Sequence, residues 1–146
     1  MTEVAFHFNA PDKLAYACRL LRKAVAAGSR VVVTAPAEAL ARLDTLLWTF
    51  SQTDFIAHVR QPAEPGLLAA SPVVLTETPA AADLPHRQVL LNLGASLPAG
   101  FEGYQRVIEV VSLDEDDRQQ ARGRWKQYTE RGYAIVRHDL QLKEST

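Results

Sequence analysis

The chain has 146 residues, 47% hydrophobic and 23% charged, proportions that exclude wholesale disorder and fit one domain with one core. With 16 Lys+Arg against 17 Asp+Glu, its formal charge of −1 is too small for a general electrostatic pull on DNA or RNA. A single Cys excludes a disulfide framework or a thiolate zinc site, and no apolar run reaches the roughly 18 residues of a membrane span. With no signal-peptide pattern at the start, a cytoplasmic protein is expected.

Strand and helix patterns alternate along the chain. Val4–Phe8 reads as a first strand, and Asn9-Ala-Pro-Asp12 supplies cap and first-turn residues for a helix to about Ala27, stopped by Gly28. On that helix Leu14, Cys18, Leu21 and Val25 share a stripe about 60° wide. Arg30–Thr34 has the continuous apolar run of a strand covered on both faces, and Pro36 opens a second helix ending near Trp48. Phe55–Ala57 is expected as a short strand. Loops are expected over 61–66 and 78–85, on either side of the Pro72–Thr76 strand.

Gln88–Leu93 and Arg106–Val111 follow as strands. Ser112-Leu-Asp-Glu115 reads as a capping box for a helix reaching about Arg131, with Gly132 as its stop and Tyr133–Arg137 as a last strand. Residues 143–146 are expected to fray, which leaves 1–142 as one domain. Alternating units of this kind predict an α/β fold, a mainly parallel sheet with helices on its faces.

The chemistry such folds host leaves few traces. There is no GxxxxGK[ST], and the turn after the first strand, Asn9-Ala-Pro-Asp12, has no Gly to let a phosphate approach, so no nucleotide site is expected. Gly100-Phe-Glu-Gly103 has bare GxxG spacing but sits between strands, as ordinary turn chemistry would. His7, His58, His86 and His138 lack paired metal-ligand spacing, and Cys18 lies mid-stripe as a packing thiol. The acids at 114–117 suit helix capping rather than acid–base catalysis. No catalytic constellation, metal or cofactor is expected, which favours a binding module over an enzyme.

Two aromatic residues stand out. Trp48 projects about 120° away from the stripe formed by Leu40, Leu43, Leu47 and Phe50, so it either reaches solvent or is covered by the following loop. On the last helix Arg118, Arg122 and Trp125 fall within about 60° of one another. Two readings are open there: an indole between two guanidinium groups as a platform for a peptide with acids and an apolar end, or a solvated face with arginines stacked on that indole.

Taken together, Leu43-Asp-Thr-Leu-Leu-Trp48, Phe55, His58, Gln88–Leu93, Arg106–Val111 and Ala121-Arg-Gly-Arg-Trp-Lys-Gln-Tyr128 resemble the chi subunits of bacterial DNA polymerase III, in order and over nearly the whole chain. The resemblance implies a three-layer Rossmann-like fold without a nucleotide site. It further implies a non-catalytic clamp-loader accessory subunit that grips the acidic C-terminal tail of single-stranded DNA-binding protein and also binds the psi subunit. Val111, Arg118, Arg122 and Trp125 match the tail-binding positions, while Trp48 and Phe55 match those used for psi or a helicase-like partner. The family often has Lys where this chain has Arg118 and Tyr where it has Trp125, and residues 61–87 match poorly. The rival readings are a small α/β nucleotide- or metabolite-binding regulator or enzyme, and a direct single-strand binder.

Overall fold

A computed structural model of the chain describes residues 2–49 and 56–141. Among them, strands β1 (Glu3–Ala10), β2 (Val31–Thr34), β3 (His58–Arg60), β4 (Val73–Thr76), β5 (Val89–Asn92), β6 (Arg106–Ser112) and β7 (Ile135–Asp139) form one sheet. Its order is β3-β4-β2-β5-β6-β1-β7, and every pairing is parallel. Helices α1 (Lys13–Ala26), α2 (Ala37–Thr49), α3 (Pro65–Ala70) and α4 (Glu115–Glu130) connect the strands, with a short 3₁₀ turn at Phe101–Gly103.

Period-two alternation divides the apolar side chains between two cores. Val31 and Val33 of β2 join Val73, Leu75, Leu91 and Val110 under α1 and α2, which contribute Cys18, Leu21, Leu40, Leu43 and Leu47. Val32, between them, points the other way and joins Val74, Leu90, Phe6, Val107 and Val111 under Ala121 and Tyr128 of α4. Both faces of β2, β4 and β5 are buried, so their sequences read as apolar runs rather than alternations. Cys18 is sealed in the first core, and burial pushes its thiol up to about 11, consistent with a packing role.

Local chemistry sets the helix ends. The Asp12 carboxylate accepts from the Ala15 amide at the start of α1. Gly28 and Gly132 follow α1 and α4 with φ of +84° and +89°, a conformation in which a Cβ would be strained. The cap of α4 differs from the expected box. Asp114, not Ser112, is the N-cap and accepts from Asp117 N, while the Asp117 carboxylate reaches back to the backbone N–H and hydroxyl of Ser112. The acids at 114–117 belong to that cap.

Several boundaries depart from the sequence reading. The short strand is His58–Arg60 rather than Phe55–Ala57, because its neighbour β4 pairs from Val73 onward and fixes the register. Pro65 and Gly66, read as loop, open α3, where Pro65 takes a first-turn position that needs no amide. The last strand begins at Ile135, since Val4 of β1 is the residue it meets. The Gly100–Gly103 segment is a turn that buries Phe101, as expected of ordinary turn chemistry. Phe50, Phe55 and the tail 143–146 lie outside the described residues.

Candidate functional site

Helix α4 is rolled into place by a buried polar cluster. Glu109, centred on β6 and 0% exposed, accepts from Arg124 Nε at 3.0 Å, Tyr128 Oη at 2.8 Å and Asn92 Nδ2 at 3.0 Å. Arg124, 1% exposed, also donates through Nη1 to the Ala95 carbonyl at 2.8 Å. Burial pushes the Glu109 carboxyl up from its ordinary range, and the Arg124 guanidinium, helped by Asn92 and Tyr128, pulls it part of the way back. Burial and the Glu109 charge together raise the Tyr128 phenol, keeping it a donor.

Residues 121, 124 and 128 thus form the inward stripe of α4, and Trp125 lies about 70° from its centre, Arg118 about 90° and Arg122 about 130°. The consequence is a half-buried indole with two arginines beyond it. Trp125 rests on Phe6 of β1 with ring centroids 5.0 Å apart and tilted by 59°. Around it opens a cleft of about 470 Å³ at the carboxyl end of β1 and β6. Phe6, Phe8, Val111, Ala121 and Trp125 line it with apolar surface, and Arg118, Arg122 and Arg137 line it with positive charge.

The four residues singled out on α4 and β6 therefore line one cavity, but the expected picture of an indole flanked by two guanidinium groups needs correction. Among the described residues, the guanidinium over the Trp125 ring is that of Arg137 on β7, 5.7 Å from the centroid. Arg122 instead meets the exposed Glu115 carboxylate at 3.5 Å, and Arg118 has no carboxylate within ion-pair distance among the described residues. An exposed pair such as Arg122–Glu115 contributes only about 0–1 kcal/mol, so another carboxylate can compete for it. Phe6 and Phe8 escaped the sequence reading because β1 brings them to α4 from more than a hundred residues away, and Arg137 because only the pairing of β7 with β1 sets it beside Phe6.

The start of α4 is secured to α1. Lys13 Nζ contacts both Asp117 oxygens at 3.0 and 3.2 Å, beside the Ser112 bonds. Burial by itself would raise the Asp117 acid, but the Ser112 amide and the Lys13 ammonium outweigh it and hold it below its usual range. A depressed carboxylate stabilises the fold above its unfolded pKa of about 3.9 and loses that contribution as pH falls through the folded value. Asp117→Asn is therefore expected to lose about 1 kcal/mol at pH 7, with the gap to wild type closing in urea melts taken at and below pH 3.

Trp48 lies elsewhere, on α2, and is 59% exposed, so the described chain leaves it open to solvent. Its ring meets the edge of His58 with centroids 5.1 Å apart. The His58 Nε2 faces Asp44 Oδ1 at 2.9 Å and Nδ1 faces the Ile56 carbonyl at 2.7 Å, which fixes the ring beneath the indole. Phe55, its expected companion, is outside the described residues.

A second cleft, of about 350 Å³, occupies the carboxyl ends of β2, β4 and β5, where α/β folds commonly take ligands. Proline and alanine dominate its wall and its one charged lining residue is Glu77, which would repel a phosphate. Asn92, also there, already spends its amide on Glu109 and Ser96 and its oxygen on the Gly94 amide. This geometry gives the nucleotide-binding alternative no support. Among the described residues no helix is long and apolar enough to cross a membrane.

Comparison with known proteins gives the family. The family model described as DNA polymerase III chi subunit, HolC, matches residues 1–136. The DNA polymerase III subunit chi of Pseudomonas aeruginosa is 34% identical over 145 residues, covering 96% of this chain and 98% of that protein. The chain belongs to the DNA polymerase III chi subunit family, and its role is that of an accessory subunit in DNA replication.

Proposed function

We propose that the α4 cleft grips the acidic C-terminal tail of single-stranded DNA-binding protein and so links the polymerase's clamp loader to coated single strands. The observation that carries this reading is the pairing of an apolar floor, Phe6, Val111 and Trp125, with cationic rim residues Arg118 and Arg122 in one cleft. A peptide end that combines an apolar last residue, a free carboxylate and upstream acids has the complementary chemistry. Arg118 and Arg122 pair with its carboxylates, Trp125 shapes the pocket for its last side chain, and Val111 lines it. Binding is modest, because a short peptide buries little area and is ordered on docking.

Calorimetry with a synthetic acidic peptide ending in an aromatic residue tests this. Arg122→Ala is expected to lower affinity by about 1.5–3 kcal/mol, the range for a hydrogen bond to a charged group. Equal affinity for wild type and variant rejects the assignment.

We also propose that the exposed Trp48 surface, with Phe55, docks the psi subunit or a helicase-like partner, a reading supported by the family match and by the exposure of the indole on α2. Trp is enriched among interface hot spots. Trp48→Ala is expected to abolish co-purification of psi while leaving peptide affinity at the α4 cleft within about twofold, since the two surfaces share no residue. In this role the chain works in the cytoplasm as a single unit over 1–142, has no catalytic step or cofactor of its own, and meets DNA only through its partners.

A further inference from the structure

We infer that Arg137, on edge strand β7, is a third cation of the α4 cleft and holds an acidic side chain of the bound peptide upstream of its last residue. This rests on the reading of the cleft as an acidic-tail site. In the parallel register Phe6 of β1 stands beside Arg137, and Phe6 carries the Trp125 ring, so the guanidinium is delivered to the rim of the indole. Its central carbon lies 5.2 Å from the Phe8 ring centre and 5.7 Å from that of Trp125. Two aromatic contacts restrain a side chain that is otherwise exposed. They leave its in-plane N–H donors uncommitted, because guanidinium stacking uses the face of the group and carboxylates use its edge.

Arg118 apart, the arginines on or just after α4 have acids of their own. Arg122 meets Glu115, Arg124 meets Glu109 and Arg131 meets Glu102. Among the described residues no carboxylate lies within ion-pair distance of Arg137, so an incoming acid displaces no internal partner there. Arg118 and Arg122 enter the cleft from α4, whereas Arg137 enters from the strand side. A peptide lying across Trp125 with its end toward the helix arginines passes Arg137 with its preceding residues. The cleft then selects acids followed by an apolar end over an apolar end alone.

The test uses the full chain and two synthetic peptides with the same aromatic last residue and free carboxylate, one with upstream Asp residues and one with Asn in their place. Arg137→Gln is expected to weaken the Asp peptide by about 5–20-fold and the Asn peptide by less than about twofold, the loss of one charge-assisted contact. Arg122→Gln is measured beside it. If Arg122→Gln weakens the Asp peptide and Arg137→Gln does not, the role of Arg137 is overturned and the cleft assignment stands. If Arg137→Gln weakens both peptides equally, its contact is not with an acidic side chain and the inference is also overturned. If neither variant weakens the Asp peptide, the cleft assignment itself fails. Arg137 is exposed, and an unchanged thermal melt separates lost binding from lost folding.

Discussion

Glu109→Ala is expected to destabilise the chain by about 3–5 kcal/mol, read as a large fall in the urea midpoint with little change in slope. The substitution removes the acceptor of Arg124 Nε, Tyr128 Oη and Asn92 Nδ2 at once. It also strands a guanidinium that is 1% exposed, and a buried charge without its partner costs far more than the intact pair contributes. The same logic gives a control. Replacing Glu109 by Leu together with Arg124 by Met removes both charges and is expected to recover most of the loss, since apolar replacement of a whole buried pair is often nearly neutral. A loss below about 1 kcal/mol for Glu109→Ala would mean that α4 is seated by its apolar contacts alone.

The second large effect is on binding. Arg118→Ala combined with Arg122→Ala is expected to lower affinity for an acidic peptide by roughly 100-fold or more at low salt, about 3 kcal/mol, if each guanidinium makes one charge-assisted bond. Both side chains are exposed on α4, so stability should change by less than about 0.5 kcal/mol. Raising salt toward about 0.5 M should weaken the wild type and close the gap to the double variant, because screening acts on the interaction the variant has already lost. A double variant that binds as well as wild type removes the α4 cleft from consideration as an acidic-peptide site.

These two predictions meet on one helix. Arg124 and Trp125 are adjacent in sequence and about 100° apart around the axis, so drawing Arg124 down to Glu109 turns Trp125 sideways onto Phe6. Stability and presentation of the cleft are coupled through that rotation. Glu109→Ala is therefore expected to weaken peptide binding as well, although Glu109 does not line the cleft.

Much of the fold is legible in the residues themselves. Runs such as Val31–Thr34 and Val89–Asn92 announce strands covered on both sides, and Asp12, Gly28 and Gly132 mark helix ends by backbone chemistry that is local. The proximity of Arg118, Arg122 and Trp125 is likewise a property of helical spacing, and it needs no tertiary information. Arg124 shows where that reasoning stops. An arginine at an inward position looks like surface until its partner is known, and Glu109 lies on a strand whose neighbours only the folded sheet reveals. One signal was available: Ala121, Arg124 and Tyr128 recur at the spacing of a buried stripe.

By itself the sequence determined the alternation of strands and helices apart from α3, the helix ends at Asp12, Gly28 and Gly132, the family, and which residues share the outer side of α4, because each of these depends on residues near one another along the chain. The tertiary structure alone decided which way α4 is rolled, that Phe6 packs against Trp125 with Phe8 lining the same cleft, and that Arg137 rather than Arg118 or Arg122 sits over its ring. Those contacts depend on parallel pairing of β1 with β6 and β7, which joins segments at opposite ends of the chain, and no local pattern encodes which strands become neighbours.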